Sequence, residues 1–291
     1  MSKTRQRTRT FSIPGAKRKI RLIQNDCIDG MAALSAGSVD VVVTSPPYNA
    51  GKAYRTYKDR MKRSAYLTWT RQWGEAVARV LSEEGSFFLN IGGRPSDPWL
   101  ALQVATAFGE FLKLQNVIHW VKSIAIEPKD LPTGTDADEA VTFGHYQPIN
   151  SERYLNACHE YVFQFTHTGN VTVDRVGVGV PYQDKSNVAR WKGAKDDLRC
   201  RGNTWFIPYE TIQSRDKERP HPATFPVKLP EMCLRLHGLE RVDLAMDPFV
   251  GLGSSAVACA KLGIPFVGFD IDAQYLADAG ARVETAFAGG D

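Results

Sequence analysis

The sequence has no run of about 18 apolar residues, so no membrane-spanning helix is expected. Its N-terminus has no apolar segment of the kind a secretory signal needs. The five cysteines, Cys27, Cys158, Cys200, Cys233 and Cys259, show no CxxC spacing. That scatter argues against a zinc site or a disulfide framework and for reduced thiols in the cytoplasm, with no metal expected. Acidic residues are missing from the first 21 positions, which carry Lys3, Arg5, Arg7, Arg9, Lys17, Arg18, Lys19 and Arg21. Residues 1–20 are therefore expected to form a basic arm, either solvated or holding phosphates. Internal repeats and low-complexity runs are absent too. What remains is an ordinary globular composition, 43% hydrophobic and 23% charged, with a net charge of +4 over 291 residues.

Apolar runs rich in β-branched and aromatic residues predict strands at 21–24, 39–44, 86–91, 116–121, 160–166, 242–246 and 265–269. Helical periodicity falls at about 64–81, 97–113, 226–237, 254–262 and 273–287. Strands alternating with helices predict an α/β protein with a mostly parallel sheet covered on both faces. Two long stretches, 124–157 and 168–224, break the rhythm, and loops of that length are usually functional or disordered. The second mixes Lys185, Arg190, Lys192, Arg199 and Arg201 with Tyr182, Trp191 and Trp205. Cations hold phosphates and flat rings stack on bases, so a nucleic-acid surface is expected there.

Residues 242–272, VDLAMDPFVGLGSSAVACAKLGIPFVGFDID, read as strand, glycine turn, helix and strand. Gly251 and Gly253 occupy the tight turn, and Ala256 stands where a small residue lets helix and strand pack closely. Ser254 and Ser255 suit the start of the helix. Asp270 lies 19 residues beyond Gly251, where an acid can accept two ribose hydroxyls. The loop alone would serve NAD, FAD or S-adenosylmethionine. A dinucleotide enzyme needs a second half-sheet after such a loop, and only 21 residues follow Asp270. The remaining strands must come from the N-terminal half, which would set the nucleotide beside the strand that ends in TSPPY.

That strand, VDVVV at 39–43, runs straight into TSPPYNAGKAY at 44–54. The two prolines end the ladder and stiffen the turn. The Ser45 hydroxyl, the Pro46 carbonyl held outward by Pro47, and the Tyr48 ring fit an exocyclic amine on a planar base. Such a nitrogen is a poor nucleophile because its lone pair is delocalised into the ring. Two acceptors gripping its N–H bonds would free that pair, and Tyr48 would stack on the extruded base.

TSPPYN together with DPFVGLGSS resembles the amino-methylating DNA methyltransferases that use S-adenosylmethionine, in the permuted group whose catalytic motif precedes the cofactor motif. Asp26 in LIQNDC, the strands GSFFLNIG, IHWVKS and HEYVFQFTHTGN, and RPHPATFPVKLPEM at 219–232 extend the similarity over nearly the whole chain. The resemblance implies a Rossmann-like methyltransferase sheet with one antiparallel strand. The catalytic and cofactor domain would span 21–167 and 219–291, with an irregular target-recognition region at 168–218. Ser45, Pro46, Pro47 and Tyr48 would be catalytic. Asp26, Phe249, Gly251, Gly253 and Asp270 would bind cofactor, with Asp247, Ser254, Pro222 and Phe225 shaping its pocket. Without the resemblance, Asp26 reads as a helix N-cap and Phe249 as core.

DNA contacts are expected from Asn49, Lys52 and Arg55 beside the turn and from Lys185, Arg190, Lys192, Arg199 and Arg201. The run from Lys52 to Arg63 reads otherwise as a solvated loop, its rival being a flexible lid that orders on phosphates, and His159 reads as structural. The implied reaction is methyl transfer to N4 of a flipped cytosine in duplex DNA. Many relatives carry aspartate where Ser45 stands, and N6 of adenine is the rival acceptor. The amine's surplus proton is expected to leave to solvent, since the turn has no carboxylate. The alternatives are a non-catalytic DNA-binding protein with this fold, against which the intact TSPPY and glycine-turn motifs argue, and an RNA or protein methyltransferase, against which the large basic insertion argues. Expected partners are duplex DNA and a cognate restriction endonuclease, for a monomer or homodimer associated with the nucleoid through DNA.

Overall fold

The computed structural model describes residues 7–13, 19–131, 141–144, 149–190, 197–208 and 224–289. In chain order its main elements are β1 (Thr8–Ser12), β2 (Lys19–Gln24), α1 (Cys27–Ala32), β3 (Val39–Thr44), α2 (Arg63–Val80), β4 (Leu81–Ile91), α3 (Trp99–Phe108) and β5 (Lys113–Val121). Then come β6 (Ser123–Ile126), β7 (Val141–Gly144), β8 (His159–Thr166), β9 (Val180–Pro181), α4 (Ser186–Arg190), β10 (Leu198–Arg199) and β11 (Thr204–Phe206). The chain closes with α5 (Lys228–His237), β12 (Ala245–Asp247), α6 (Ser254–Leu262), β13 (Phe266–Asp270) and α7 (Ala273–Phe287).

Nine strands form one sheet in the order β1-β2-β13-β12-β3-β4-β8-β5-β11. From β2 to β4 all neighbours run parallel. β8 runs antiparallel to both β4 and β5, and β11 returns parallel to β5. Alternation along each strand sends successive side chains to opposite faces. On β3, Val41 and Val43 pack with Leu229, Ala256, Leu276 and Val283 of α5, α6 and α7. Val42 points the other way, toward Met31, Trp73, Val77 and Leu100 of α1, α2 and α3. The result is the three-layer, mostly parallel architecture expected.

Three segments depart from expectation. Residues 8–12 are no free arm: they pair with β2 as an antiparallel edge strand, and Phe11 packs against the core. The alternating TRTFS pattern supports this, one apolar side facing α7. The end of the predicted recognition region also joins the body of the protein, because β11 extends the sheet and buries Trp205 completely. Finally, the predicted 242–246 strand is short and displaced to Ala245–Asp247, its start being taken by a turn whose Asp243 and Leu244 amides cap the Asp40 carboxylate. Among the described residues, no helix is long and apolar enough to cross a membrane.

Candidate active site

Two segments some two hundred positions apart meet at the carboxyl edge of the sheet. β3 and β12 are parallel neighbours, with Val41 opposite Ala245 and Val42 opposite Met246. Each ends in a loop, and one side chain ties the two loops together. Asp247, 1% exposed, accepts from Thr44 Oγ1 at 2.5 Å, Ser255 Oγ at 2.8 Å and the Phe249 amide at 2.9 Å. Burial pushes its carboxyl up to about 6, which the three donors only partly offset. Ser45 and the glycine turn are thereby held side by side.

Between them opens a cleft of about 960 Å³, counting its solvent-filled mouth. Asp26, Ser45, Pro46, Pro47, Phe225, Phe249, Gly251, Ser254 and Asp270 all line it. Asp26 is an N-cap and also borders the cleft: its Oδ1 accepts from the Ile28 amide at 2.8 Å at the start of α1. Asp270 Oδ2 accepts from the Gly251 amide at 3.0 Å and Oδ1 from the Asp272 amide at 2.8 Å, so the acid is anchored to the turn it serves. Burial raises its carboxyl to about 6. Asp247 and Gly253 act from behind the wall. Gly253 sits at φ +76° before α6, and a Cβ there would lie 2.8 Å from the Ala279 Cβ. Only glycine permits both that conformation and that approach. Pro222 lies outside the described residues.

Part of the wall has no counterpart among the sequence motifs. Tyr54, Thr56 and Tyr57 enter the cleft from the segment between the Ser45–Tyr48 turn and α2, Trp69 from α2, and Tyr275 from α7. Asn49, at φ +55°, closes the base of this segment: its side-chain amide donates to Met61 O at 2.9 Å and accepts from Met61 N at 2.6 Å. Asp59 Oδ2 accepts the Ala50 and Lys52 amides, each at 3.0 Å. Asn49 is thus committed to the loop, and the expected solvated run is instead a structured wall. The periodic helix and the Tyr-x-x-Tyr spacing at 54–57 are visible in the sequence, but their convergence on Phe249 depends on the fold. Trp69 lies 5.5 Å from the Phe249 ring and 6.2 Å from that of Tyr57.

These residues fit S-adenosylmethionine. The buried Tyr57 hydroxyl has no hydrogen-bond partner among the described residues and Tyr57 borders the cleft, as does the Asp270 acid that a ribose could meet, and aromatic faces suit a sulfonium. Among the described residues, no cluster of side chains could hold a metal ion.

On the other side of the turn, Tyr66 donates to the Pro47 carbonyl at 2.8 Å and braces it. The Tyr48 hydroxyl lies 2.8 Å from Ser45 Oγ, 3.2 Å from Asn90 Oδ1 and 3.0 Å from Glu160 Oε2. Glu160 in turn pairs with Lys122 Nζ at 2.9 Å. Burial opposes its ionisation, but Lys122 and the hydrogen bonds from Lys122, Tyr48 and Asn90 outweigh that and hold the carboxyl below its ordinary range.

The candidate DNA contacts scatter more widely. Lys52, Arg190 and Arg199 are exposed. Arg55 pairs with Asp272 at 3.4 Å, Lys185 pairs closely with Asp197, and Arg201 donates to Val178 O at 3.0 Å. Lys192 lies outside the described residues.

The chain is 27% identical over 272 residues to the type II methyltransferase M.HpaI of Haemophilus parainfluenzae, covering 93% of this chain and 76% of that protein. It is 26% identical over 268 residues to M.BglII of Bacillus subtilis, covering 88% and 66%. Its fold is similar to that of the cytosine-N4-specific PvuII DNA methyltransferase, with a TM-score of 0.63, 18% identity and 93% of both chains covered. M1.HpyAVI, solved with S-adenosylmethionine, superposes with a TM-score of 0.52 at 17% identity over 90% of this chain and 98% of that one. Residues 39–280, from β3 into α7, match one family throughout, and the chain belongs to it: the DNA methylases that modify N6 or N4 amino groups.

Proposed function

We propose that the protein transfers a methyl group from S-adenosylmethionine to N4 of a cytosine swung out of duplex DNA. The observation that carries this is the shared cleft, where Ser45–Pro47 face Gly251 and Asp270. Bound there, the cofactor supplies a methyl group on a positively charged sulfur. Asp270 and Asp26 would hold its ribose and adenine, and Phe249 would border the sulfonium. Ser45 Oγ and the Pro46 carbonyl would grip the two N–H bonds of the amine, and the Tyr48 ring would stack on the base. The geometry is preset, because Asp247 and Tyr66 hold the turn before any ligand arrives. No cysteine is called on as nucleophile, since the amine attacks directly. The one cysteine lining the cleft, Cys27, has its thiol pushed well up by burial.

Cytosine is favoured by serine, rather than a carboxylate, at position 45 and by the similarity to the PvuII enzyme. Adenine N6 is the rival. Sequence choice would lie with residues 168–218, phosphate contacts with Lys52, Arg190, Lys192 and Arg199, and a cognate endonuclease would complete the system. The test is digestion of DNA methylated by the protein and mass spectrometry of its nucleosides. N4-methylcytosine is expected, and N6-methyladenine alone would overturn the choice of base. A Ser45→Ala variant should bind cofactor normally and lose most methyl incorporation.

A further inference from the structure

An amine that receives a methyl group carries one proton too many. The catalytic turn has no carboxylate to take it, but one stands directly behind. Glu160, second residue of β8, lies one step past the Ile91–Tyr161 pair in the ladder with β4, and opposite Trp120 in the ladder with β5. Its side chain is 15% exposed. Gly92 makes room for it: a Cβ there would lie 2.8 Å from Glu160 Cγ.

The hydrogen bonds have a forced direction. Asn90 Nδ2 donates to Glu160 Oε2 at 3.1 Å and to Tyr161 O at 3.2 Å, so its Oδ1 is the atom that faces Tyr48. The Tyr48 hydroxyl therefore meets acceptors in Asn90 O, Asn90 Oδ1 and Glu160 Oε2, at 3.4, 3.2 and 3.0 Å. It has one proton to give. The charged carboxylate is the nearest of the three and the strongest acceptor. The 2.8 Å contact between Tyr48 and Ser45 must then run with serine as donor. With its proton directed at Tyr48, Ser45 turns only lone pairs toward the cleft.

We propose that Glu160 is a positioning residue for methyl transfer, acting through Tyr48 to keep Ser45 a hydrogen-bond acceptor and to receive the proton the amine must lose. This rests on the transfer to an amine proposed above. Transfer forms the nitrogen–carbon bond and breaks the methyl–sulfur bond, whose electron pair stays on sulfur. The nitrogen's surplus proton passes to Ser45 Oγ, the serine proton to Tyr48 Oη, and the phenolic proton to Glu160 Oε2. Serine and tyrosine end neutral as they began, and the carboxylate ends as a neutral acid beside Lys122. That neighbouring ammonium favours return of the proton to solvent, which resets the chain.

The measurement is single-turnover methyl transfer to duplex DNA by wild type, Glu160→Gln, Tyr48→Phe and the double variant. Cofactor and DNA affinities and thermal melting are followed alongside. Tyr48→Phe keeps the stacking ring and removes only the hydroxyl. Each single variant is expected to lose roughly 100-fold in transfer rate, the scale of a lost proton-transfer partner, with both affinities within about twofold of wild type. The double variant should be no slower than the slower single, because both cut one path. Wild-type rates in either single variant, or losses that multiply in the double, would overturn the proposal. If Glu160→Gln does not fold, Tyr48→Phe decides alone: a rate loss at unchanged DNA affinity supports the path, and an unchanged rate overturns it. Should the wild type itself move no methyl group to a DNA base, the proposed reaction falls and takes this path with it.

Discussion

Asp247 and Glu160 are both largely buried carboxylates at the carboxyl edge of one sheet, yet their acidities are driven apart. Asp247 is pushed up to about 6 and Glu160 is held below the ordinary range. Both suffer desolvation and both accept hydrogen bonds. The difference lies in the charged neighbours: Lys122 Nζ stands 2.9 Å from Glu160 Oε1, whereas the charge near Asp247 is that of Asp270, which raises it further. Neutral donors such as Thr44, Ser255 and the Phe249 amide moderate the cost of burying a charge, whereas a full opposite charge reverses it. The two sites are built for different work. Asp247 is a knot between loops, for which charge is incidental. Glu160 stands at the end of a hydrogen-bonded chain that needs an acceptor.

The largest effect should come from erasing that difference. In Lys122→Met, Glu160 is left buried without its partner. Removing one member of a buried pair costs about 3 kcal/mol or more of stability at neutral pH. The sign is distinctive. In the wild type, where the folded value is depressed, Glu160 contributes stability above the ordinary carboxylate range that is lost as pH falls through that depressed value. In the variant, burial alone raises the folded value, so stability is lost as pH rises. Chemical denaturation at pH 8 and pH 5 should therefore show a gap between wild type and variant that narrows in acid. A gap independent of pH would mean that Lys122 acts through packing.

Asp247 gives the converse test. Its folded value of about 6, against 3.8 for the free side chain, is a rise of about 2 units. At 1.36 kcal/mol per unit this is roughly 3 kcal/mol, present at low pH and lost as pH rises through about 6. Asp247→Asn keeps an acceptor for the Phe249 amide and cannot ionise. Relative to wild type it should gain up to that amount between pH 4 and pH 7, measured by denaturant unfolding across the range. A flat difference would show that the site carries no charge penalty.

What could be read from the sequence divides along a similar line. Ser45–Tyr48 and Gly251–Asp270 are local patterns, and their meeting follows from motif order, since a strand must be found for each half of the sheet. The faces of the sheet are likewise legible in the alternation along β3. Glu160 is visible only as a polar residue at the start of the HEYVFQFT strand. Its place behind Tyr48 is set by the antiparallel register of β8 against β4, which no short window encodes. From the turn alone, solvent is the only destination for the proton. Tyr54, Tyr57 and Trp69 escape for a related reason: a run rich in lysine and arginine reads as solvated, and only the Asn49 and Asp59 hydrogen bonds fold it into the cleft wall.

A third acid shares the raised value of Asp247 but lines the cleft. Asp270 titrates near 6 because of burial. If it accepts the ribose hydroxyls as a carboxylate, cofactor should bind best above that pH. One unit below the midpoint about a tenth of the groups remain ionised, so affinity for S-adenosylmethionine at pH 5 should be about tenfold weaker than at pH 7. Titration calorimetry measures this directly. Asp270→Asn should bind more weakly at pH 7 and lose the dependence, and a wild-type affinity constant from pH 5 to 8 would remove Asp270 from the cofactor site.

The smallest effect concerns space rather than charge. Gly92 does not line the cleft, but the hydrogen its Cα carries in place of a methyl group leaves room for the Glu160 side chain. In Gly92→Ala the new carbon would lie 2.8 Å from Glu160 Cγ and 3.0 Å from its Cδ, so the carboxylate must move by several tenths of an ångström. Overpacking of this kind costs about 1 kcal/mol. The charges of Glu160 and Lys122 survive the change, while the 3.0 Å contact from Tyr48 and the 3.1 Å contact from Asn90 Nδ2 are displaced. Transfer should slow about threefold while the pH dependence of stability that Lys122 and Glu160 confer is retained. If the rate fell and that pH dependence vanished with it, the ion pair and the proton path would be a single inseparable unit. If only the rate fell, alignment with Tyr48 would matter to catalysis beyond the mere presence of a buried negative charge.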